Sequence, residues 1–180
     1  ACAALAPAAA AGAGGGVTAG VRPAAPEDAG TIVRLIRELA EYEREPLSSV
    51  KITEADILRD VFGAERRAEV LLAELDGRAA GFALFFHNYS TWEDRAGLYV
   101  EDLYVSEWAR GAGLGRRLLA EIAALAAARG FRRVDLWVLH WNPARAFYER
   151  IGFAELADWR RYRPTGDAIA QLAAEAGQRA

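Results

Sequence analysis

The stretch that most limits what this chain can become is "ARGAGLGRRLLAEIAAL", residues 109–125, in which Gly111, Gly113 and Gly115 lead without a break into a helical pattern. It follows the strand-like run "GLYVEDLYV" and precedes another, "VDLWVL". A strand, a helix and a returning strand form a crossover, which makes the two strands parallel and the fold α/β. A helix N-terminus also presents backbone N–H groups without intrahelical partners, and its dipole favours negative charge. With Arg110 and Arg116 at either end, the loop is a setting for phosphate. The glycines by themselves would equally serve a tight strand-to-helix turn.

The rest of the chain reads around this unit. "PEDAGTIVRLIRELAEYE" puts Ile32, Leu35, Ile36 and Leu39 on one helical face, with Glu27 and Asp28 in the acidic first turn. "TEADILRDVFG" predicts a shorter helix capped by Thr53 and stopped at Gly63. "VLLAELDGRAAGFALFFHN" reads as two strands joined at Asp76-Gly77, a dipeptide suited to a two-residue hairpin turn. "NPARAFYERIGF" predicts a short helix with Asn142 as cap and Pro143 at its first position, ended by Gly152. A last strand is expected around "FAELADWRRYR", then a helix from Asp167. The expectation is a mixed sheet with helices on both faces.

Composition narrows the function. With 180 residues, 53% of them apolar, the chain can bury one substantial core. Residues 1–20 are Ala/Gly-rich and too poor in large apolar side chains to pack, so they read as a disordered extension, with a single domain over 21–180. The net charge of −3 disfavours a nucleic-acid protein working through a basic field. The single cysteine, Cys2, excludes an intramolecular disulfide framework and a cysteine-rich zinc site. His87 and His140 are too isolated for a metal site, so no metal is expected. With neither a secretory leader nor a membrane-length apolar run, the chain reads as cytoplasmic, with no membrane partner.

Spacing separates the loop from commoner phosphate motifs. A dinucleotide fingerprint is GxGxxG with an acidic residue at the end of the next strand, whereas this loop is GxGxG and Asp135 begins that strand. No GKS or GKT is present for a P-loop. Arg110-x-x-Gly113-x-Gly115 resembles the acetyl-CoA pyrophosphate loop of the GNAT family of N-acetyltransferases. Together with "RPAAPEDAGTIVRLIRELAEYE", "TWEDRAGLYVEDLYV" and "WNPARAFYERIGF", the chain resembles the diamine (spermidine/spermine) branch over about residues 21–163.

The resemblance implies the GNAT-type acyl-CoA N-acyltransferase fold, with a mixed, mostly antiparallel sheet. It also implies acetyl-CoA as co-substrate and a homodimer. Backbone groups of Leu103, Tyr104 and Val105 would hold the pantetheine arm, and the loop from Arg110 and Gly111 through Ala112, Gly113, Leu114 and Gly115 to Arg116 would take the pyrophosphate. Asn142 would contact the cofactor's other flank, and Tyr148 would stand near its sulfur. Tyr42, Glu43, Glu101 and Asp102 would meet a small cationic amine, with Glu101 as the catalytic proton acceptor and Trp92 and Trp159 as candidate cleft walls. Relatives of this branch take polyamines or thialysine. "VLHWN" lacks an acidic residue often found before the Trp-Asn pair, which leaves the charge of the acceptor side open.

Elementary chemistry converges on the same residues. Acetyl transfer from a thioester to an amine needs a neutral nucleophile, oxyanion stabilisation and a proton for the departing thiolate. Alkyl ammonium groups have a pKa of about 10, so a carboxylate must help remove a proton. Glu101 and Asp102 interrupt an apolar strand, and simple alternation sends them to opposite faces. Tyr148 can supply the leaving-group proton, its alternative being an aromatic core residue. The expected function is acetyl transfer to a diamine or polyamine within a ternary complex. Acetylation of thialysine, an amino acid or a protein amine, and a non-catalytic acyl-CoA-binding module, are the alternatives.

Overall fold

A computed structural model of the chain describes residues 18–92 and 94–176; the expected extension at 1–17 lies outside the described residues. Local rules build its centre. Asp76 and Gly77, with φ of 52° and 73°, join β2 (Glu69–Leu75) to β3 (Arg78–Ser90), and left-handed φ at both turn residues matches the twist of the strands. β4 (Arg95–Val105) pairs with β3, again antiparallel. After α3 (Leu114–Ala128), ended by Gly130 at φ 71°, β5 (Val134–Leu136) lies parallel to β4, as the crossover requires.

Helices cover both faces of this five-stranded sheet, whose order is β1-β2-β3-β4-β5. α1 (Ala29–Tyr42) buries Ile32, Leu35 and Leu39 with Leu72, Phe82 and Tyr104, while α2 (Glu54–Asp60) adds Ile57. Thr53 accepts a hydrogen bond from the Asp56 amide and caps α2. On the opposite face α3 sets Leu114, Leu118 and Ile122 against Leu71, Phe85, Leu98, Val100, Leu103 and Val105. Full burial of each such side chain contributes about 1.5–3 kcal/mol, so both helices are anchored mainly by their apolar stripes.

Two parts of the sheet differ from expectation. β1 (Ala19–Pro23) was not foreseen, and it draws Ala19 and Gly20, read as extension, into a ladder with β2 from Ala19↔Leu75 to Pro23↔Leu71. "AGVRP" has little strand propensity of its own; the open edge of β2 supplies the pairing. The strand expected near "FAELADWRRYR" is absent among the described residues, and residues 154–163 are exposed turn and coil. Apolar alternation alone does not make a strand when no edge pairs with it. α4 (Ala144–Arg150) and α5 (Asp167–Ala176) form as expected.

A third departure shapes the site. The β3–β4 register passes from Leu84↔Asp102 to Phe85↔Val100, which leaves Glu101 as an extra, bulged residue. The bulge changes the phase of alternation, so Leu98, Val100, Leu103 and Val105 all pack on the α3 side. β5 contacts β4 only from Leu98↔Val134 to Val100↔Leu136. Beyond the bulge, the outer edge of β4 from Glu101 to Val105 faces no strand among the described residues.

Gly81 permits the close approach of β3 to that part of β4: a Cβ there would lie 2.5 Å from the Tyr104 carbonyl oxygen. Gly81→Ala is expected to destabilise the fold by about 1–3 kcal/mol through overpacking. Urea unfolding monitored by circular dichroism checks this; an unchanged midpoint would count against the close approach.

Candidate active site

The open β4 edge meets the glycine loop at one end. Leu103, Tyr104 and Val105 bury their side chains, so this edge offers a ligand backbone groups rather than side chains. Gly111 and Gly113 adopt φ of 88° and 76°, and Gly113 leads directly into α3. A Cβ on Gly113 would meet nothing within 4 Å, so its backbone conformation, rather than crowding, requires glycine. Gly111, Gly113 and Arg116 are exposed, whereas Leu114 and Gly115 are buried and fix the first turn to the core, with Ala112 between. Amides at the start of α3 have no intrahelical acceptors, and they point where the helix dipole favours an anion. The combination of a bare extended edge and an amide-lined helix start fits an acyl-CoA's pantetheine and diphosphate.

Asn142 and Tyr148 lie beyond β5. Asn142 is buried, and its Oδ1 accepts the Ala144 N–H at 2.9 Å, so it bonds the first turn of α4, with Pro143 rather than Asn142 in the cap position. Tyr148 is also buried, with ring centroids 5.4 Å from Phe147 and 5.8 Å from Phe153. It contributes to the lining of a cleft of about 590 Å³ between β5 and the segment after Phe153, which also includes Trp137, His140 and Trp159.

The end of α1 forms the other side of the site. Tyr42 packs against Trp141 with centroids 6.3 Å apart, and the Arg110 guanidinium lies 4.8 Å from the Tyr42 ring centroid. Arg110 Nε also donates to the Val105 carbonyl at 3.3 Å, so this loop arginine folds back towards α1. Behind it, the buried Ser106 hydroxyl donates to Glu38 Oε2 at 2.5 Å, and Arg34 pairs with the same Glu38 carboxylate. Tyr104 bonds with Glu38 and Arg110; burial first, then the negative Glu38, raises its phenol above the ordinary range. Glu38 thereby fixes the junction between β4 and the loop. A cation–π contact such as the half-buried Arg110–Tyr42 pair contributes on the order of 1 kcal/mol.

Three carboxylates gather beside this aromatic pair. Burial chiefly, and then the negative charges of Glu101 and Glu43, push Asp102 up to about 7 from an ordinary 3.8. Burial also raises Glu43, with Glu45 adding repulsion, and Glu43 Oε1 has no hydrogen-bond partner among the described residues. Trp92 is not brought to this group: it is 88% exposed at the β3–β4 turn, 6.4 Å from Trp159 by ring centroids. It precedes Glu101 by nine residues, the intervening part of β4 accounting for about 20 Å at the rise of an extended strand. Among the described residues, no cluster of His, Cys, Asp and Glu side chains is arranged to hold a metal ion.

Residues 33–153 match the family model described as "Acetyltransferase (GNAT) family". The chain belongs to the GNAT acetyltransferase family. A thialysine N-epsilon-acetyltransferase from Bos taurus is 37% identical over 166 residues, covering 85% of this chain and 96% of that protein. A human spermidine/spermine N(1)-acetyltransferase-like protein is 30% identical over 86% of this chain, which spans 24% of its length. A solved integron cassette protein from the mobile metagenome of V. cholerae superposes with a TM-score of 0.72 at 25% identity, covering 86% of this chain and 97% of that one. The protein is therefore an acetyl-CoA-dependent N-acetyltransferase with the expected GNAT fold.

Burial and the neighbouring carboxylates raise Asp102 towards neutrality, the range in which a carboxylate can accept a proton. The resemblance points to Glu101 as the proton acceptor; the bulge sets Glu101 beside Asp102 at the same opening. Trp141 packs on Tyr42, Arg44 lies over Trp141, and Glu38 bonds Ser106, contacts that the local sequence pattern does not show. Because the fold raises the Asp102 pKa above 3.8, deprotonation opposes folding, and stability falls as pH rises from about 4 through about 7. Asp102→Asn is expected to flatten that decline in melting temperature and to abolish a rise in kcat/KM centred near pH 7. A surviving rate limb would exclude Asp102 as its source.

Proposed function

We propose that this enzyme acetylates the side-chain amine of a small cationic amino acid of the thialysine type. The observation that carries the reading is the desolvated Asp102 beside Glu43 at the point where β4 and β5 part. The name of the 37%-identical bovine relative supports the acceptor class. A diamine or polyamine is the second reading, favoured by the three adjacent carboxylates and by the name of the human relative.

In this mechanism the β4 edge at Leu103, Tyr104 and Val105 aligns the pantetheine arm, and a backbone N–H polarises the thioester carbonyl. Amides from Gly111 to Arg116 take the diphosphate, while Asn142 supports the cofactor's other flank. Tyr42 and Glu43 receive the ammonium, which passes a proton to Asp102 directly or through Glu101 and water. The amine lone pair attacks the thioester carbon, the N–C bond forms, and collapse of the tetrahedral oxyanion breaks the C–S bond. Tyr148 protonates the thiolate, and the second proton, lost from the nitrogen as the amide forms, returns through water to the Tyr148 oxygen. Transfer is direct, with no acetyl-enzyme. Trp92 belongs to an outer wall in this reading.

The reading includes a homodimer. The exposed 154–176 segment carries Leu156, Trp159, Tyr162, Ile169 and Leu172, and β5 has no outer neighbour among the described residues. A second copy contributing its C-terminal segment at that edge would cover both surfaces. Sedimentation equilibrium tests this part of the reading, and a monomer at micromolar concentration would exclude it.

Thiol release from acetyl-CoA against thialysine, lysine, ornithine, putrescine, spermidine and a peptide tests the acceptor class. Turnover with the amino acids or polyamines supports the respective reading, and turnover with peptide alone overturns both. Tyr148→Phe is expected to lower kcat about a hundredfold, the scale of general acid catalysis, with little change in acetyl-CoA affinity. Equal losses in both would make Tyr148 a binding residue only.

A further inference from the structure

Arg44 occupies an unusual backbone position immediately beyond the acceptor-side end of α1. Its N–H donates to the Glu41 carbonyl at 3.0 Å, and the Glu45 N–H donates to the Ala40 carbonyl at 2.9 Å. These two bonds close the helix in a Schellman turn, which places its penultimate residue in the left-handed region, a position usually given to glycine. Arg44 accordingly has φ 63°. A glycine would meet the conformational requirement with less strain, so the arginine side chain invites a reason beyond the turn.

Its environment supplies one. The Arg44 guanidinium lies 5.0 Å from the Trp141 ring centroid, and Trp141 in turn packs on Tyr42. Arg44 makes no ion pair among the described residues, although Glu43 and Glu45 flank it in sequence. Glu43 is raised by burial first and then by Glu45. The acceptor side therefore has two poles: inward carboxylates at Glu43 and Asp102, and an exposed, aromatic-backed guanidinium on the same helix end.

An acceptor with a cation at one end and an anion at the other matches both poles. Guanidinium presents paired N–H donors suited to a carboxylate, whereas a diamine offers it only like charge. We propose that Arg44 determines specificity by receiving the α-carboxylate of an amino-acid acceptor. This rests on the amino-acid reading of the same site and identifies how that class would be distinguished from amines of similar length.

The test compares kcat/KM within acceptor pairs that differ by a carboxylate: thialysine with bis(2-aminoethyl) sulfide, ornithine with putrescine, and lysine with cadaverine. Wild type is expected to favour the amino acid, and both Arg44→Gln and Arg44→Gly should reduce that preference at least about tenfold, mainly through KM; tenfold corresponds to about 1.4 kcal/mol. Arg44→Gly relaxes the left-handed turn, so its melting temperature should not fall, which separates recognition from folding. A parallel loss on both members of each pair, leaving their ratio unchanged, would reduce Arg44 to support of the helix end. Wild-type preference for the decarboxylated partners would also overturn the proposal. Binding of acetyl-CoA without turnover of any pair would remove the small-amine reading, and this proposal with it.

Discussion

The extra residue in β4 is the constraint on which the site depends. Glu101 has no partner position in β3, and its insertion changes which side chains face each helix. It coincides with the end of the short β4–β5 ladder, so the sheet opens where β4 changes phase. The loss of pairing costs hydrogen bonds in the isolated fold but leaves backbone groups for an extended ligand. Those groups lie on a strand held by β3 on one side and two apolar cores above and below. A rigid edge of this kind can align a flexible pantetheine arm without much reorganisation of the protein.

The acidic side of the opening carries an electrostatic cost for the same reason. Asp102 lies in desolvated surroundings near two other carboxylates, which favours its neutral form. In a structural role such a residue would be disadvantageous, since no arginine, lysine or histidine among the described residues forms an ion pair with it to offset the loss of water. In proton transfer the same environment brings its pKa from the acid range to the range where it can both accept and return a proton. An arriving ammonium would lower it again by opposite charge, so the acidity of the group is coupled to acceptor binding.

What could be read in the sequence followed the range of the interactions. Asp76-Gly77, the Thr53 cap and the Gly130 stop act within a few residues, and each is recognisable from its local pattern. The apolar stripes of α1 and α3 likewise survive as periodicity. The glycine loop was legible because conformation dictates residue type at Gly111 and Gly113. By contrast, the Glu101 bulge is a relation between two strands, and the Tyr42–Trp141 pair joins positions about one hundred residues apart, beyond the reach of local periodicity. β1 was missed and the last strand over-read for one reason: pairing is a relation between segments, and "AGVRP" pairs with β2 while "FAELADWRRYR" pairs with no strand among the described residues, although the outer side of β5 is open.

Arg110 connects the two halves of the site in a way that its motif alone would not suggest. Its backbone opens the glycine loop, yet its guanidinium rests on Tyr42, with the Val105 carbonyl as a long hydrogen-bond partner. A cation over this ring competes with an acceptor ammonium for the same face. A diphosphate at the start of α3 would attract the guanidinium more strongly than the half-buried Tyr42 ring does, because charge-assisted hydrogen bonds exceed a single cation–π contact. Movement of the arginine towards the diphosphate would free Tyr42, so donor binding would favour acceptor binding. By reciprocity an ammonium on Tyr42 would favour the donor as well, through the same coupling free energy. The loop glycines then explain only half of the arrangement: they expose the amides, while the arginine at their edge would link occupation of those amides to the acceptor side.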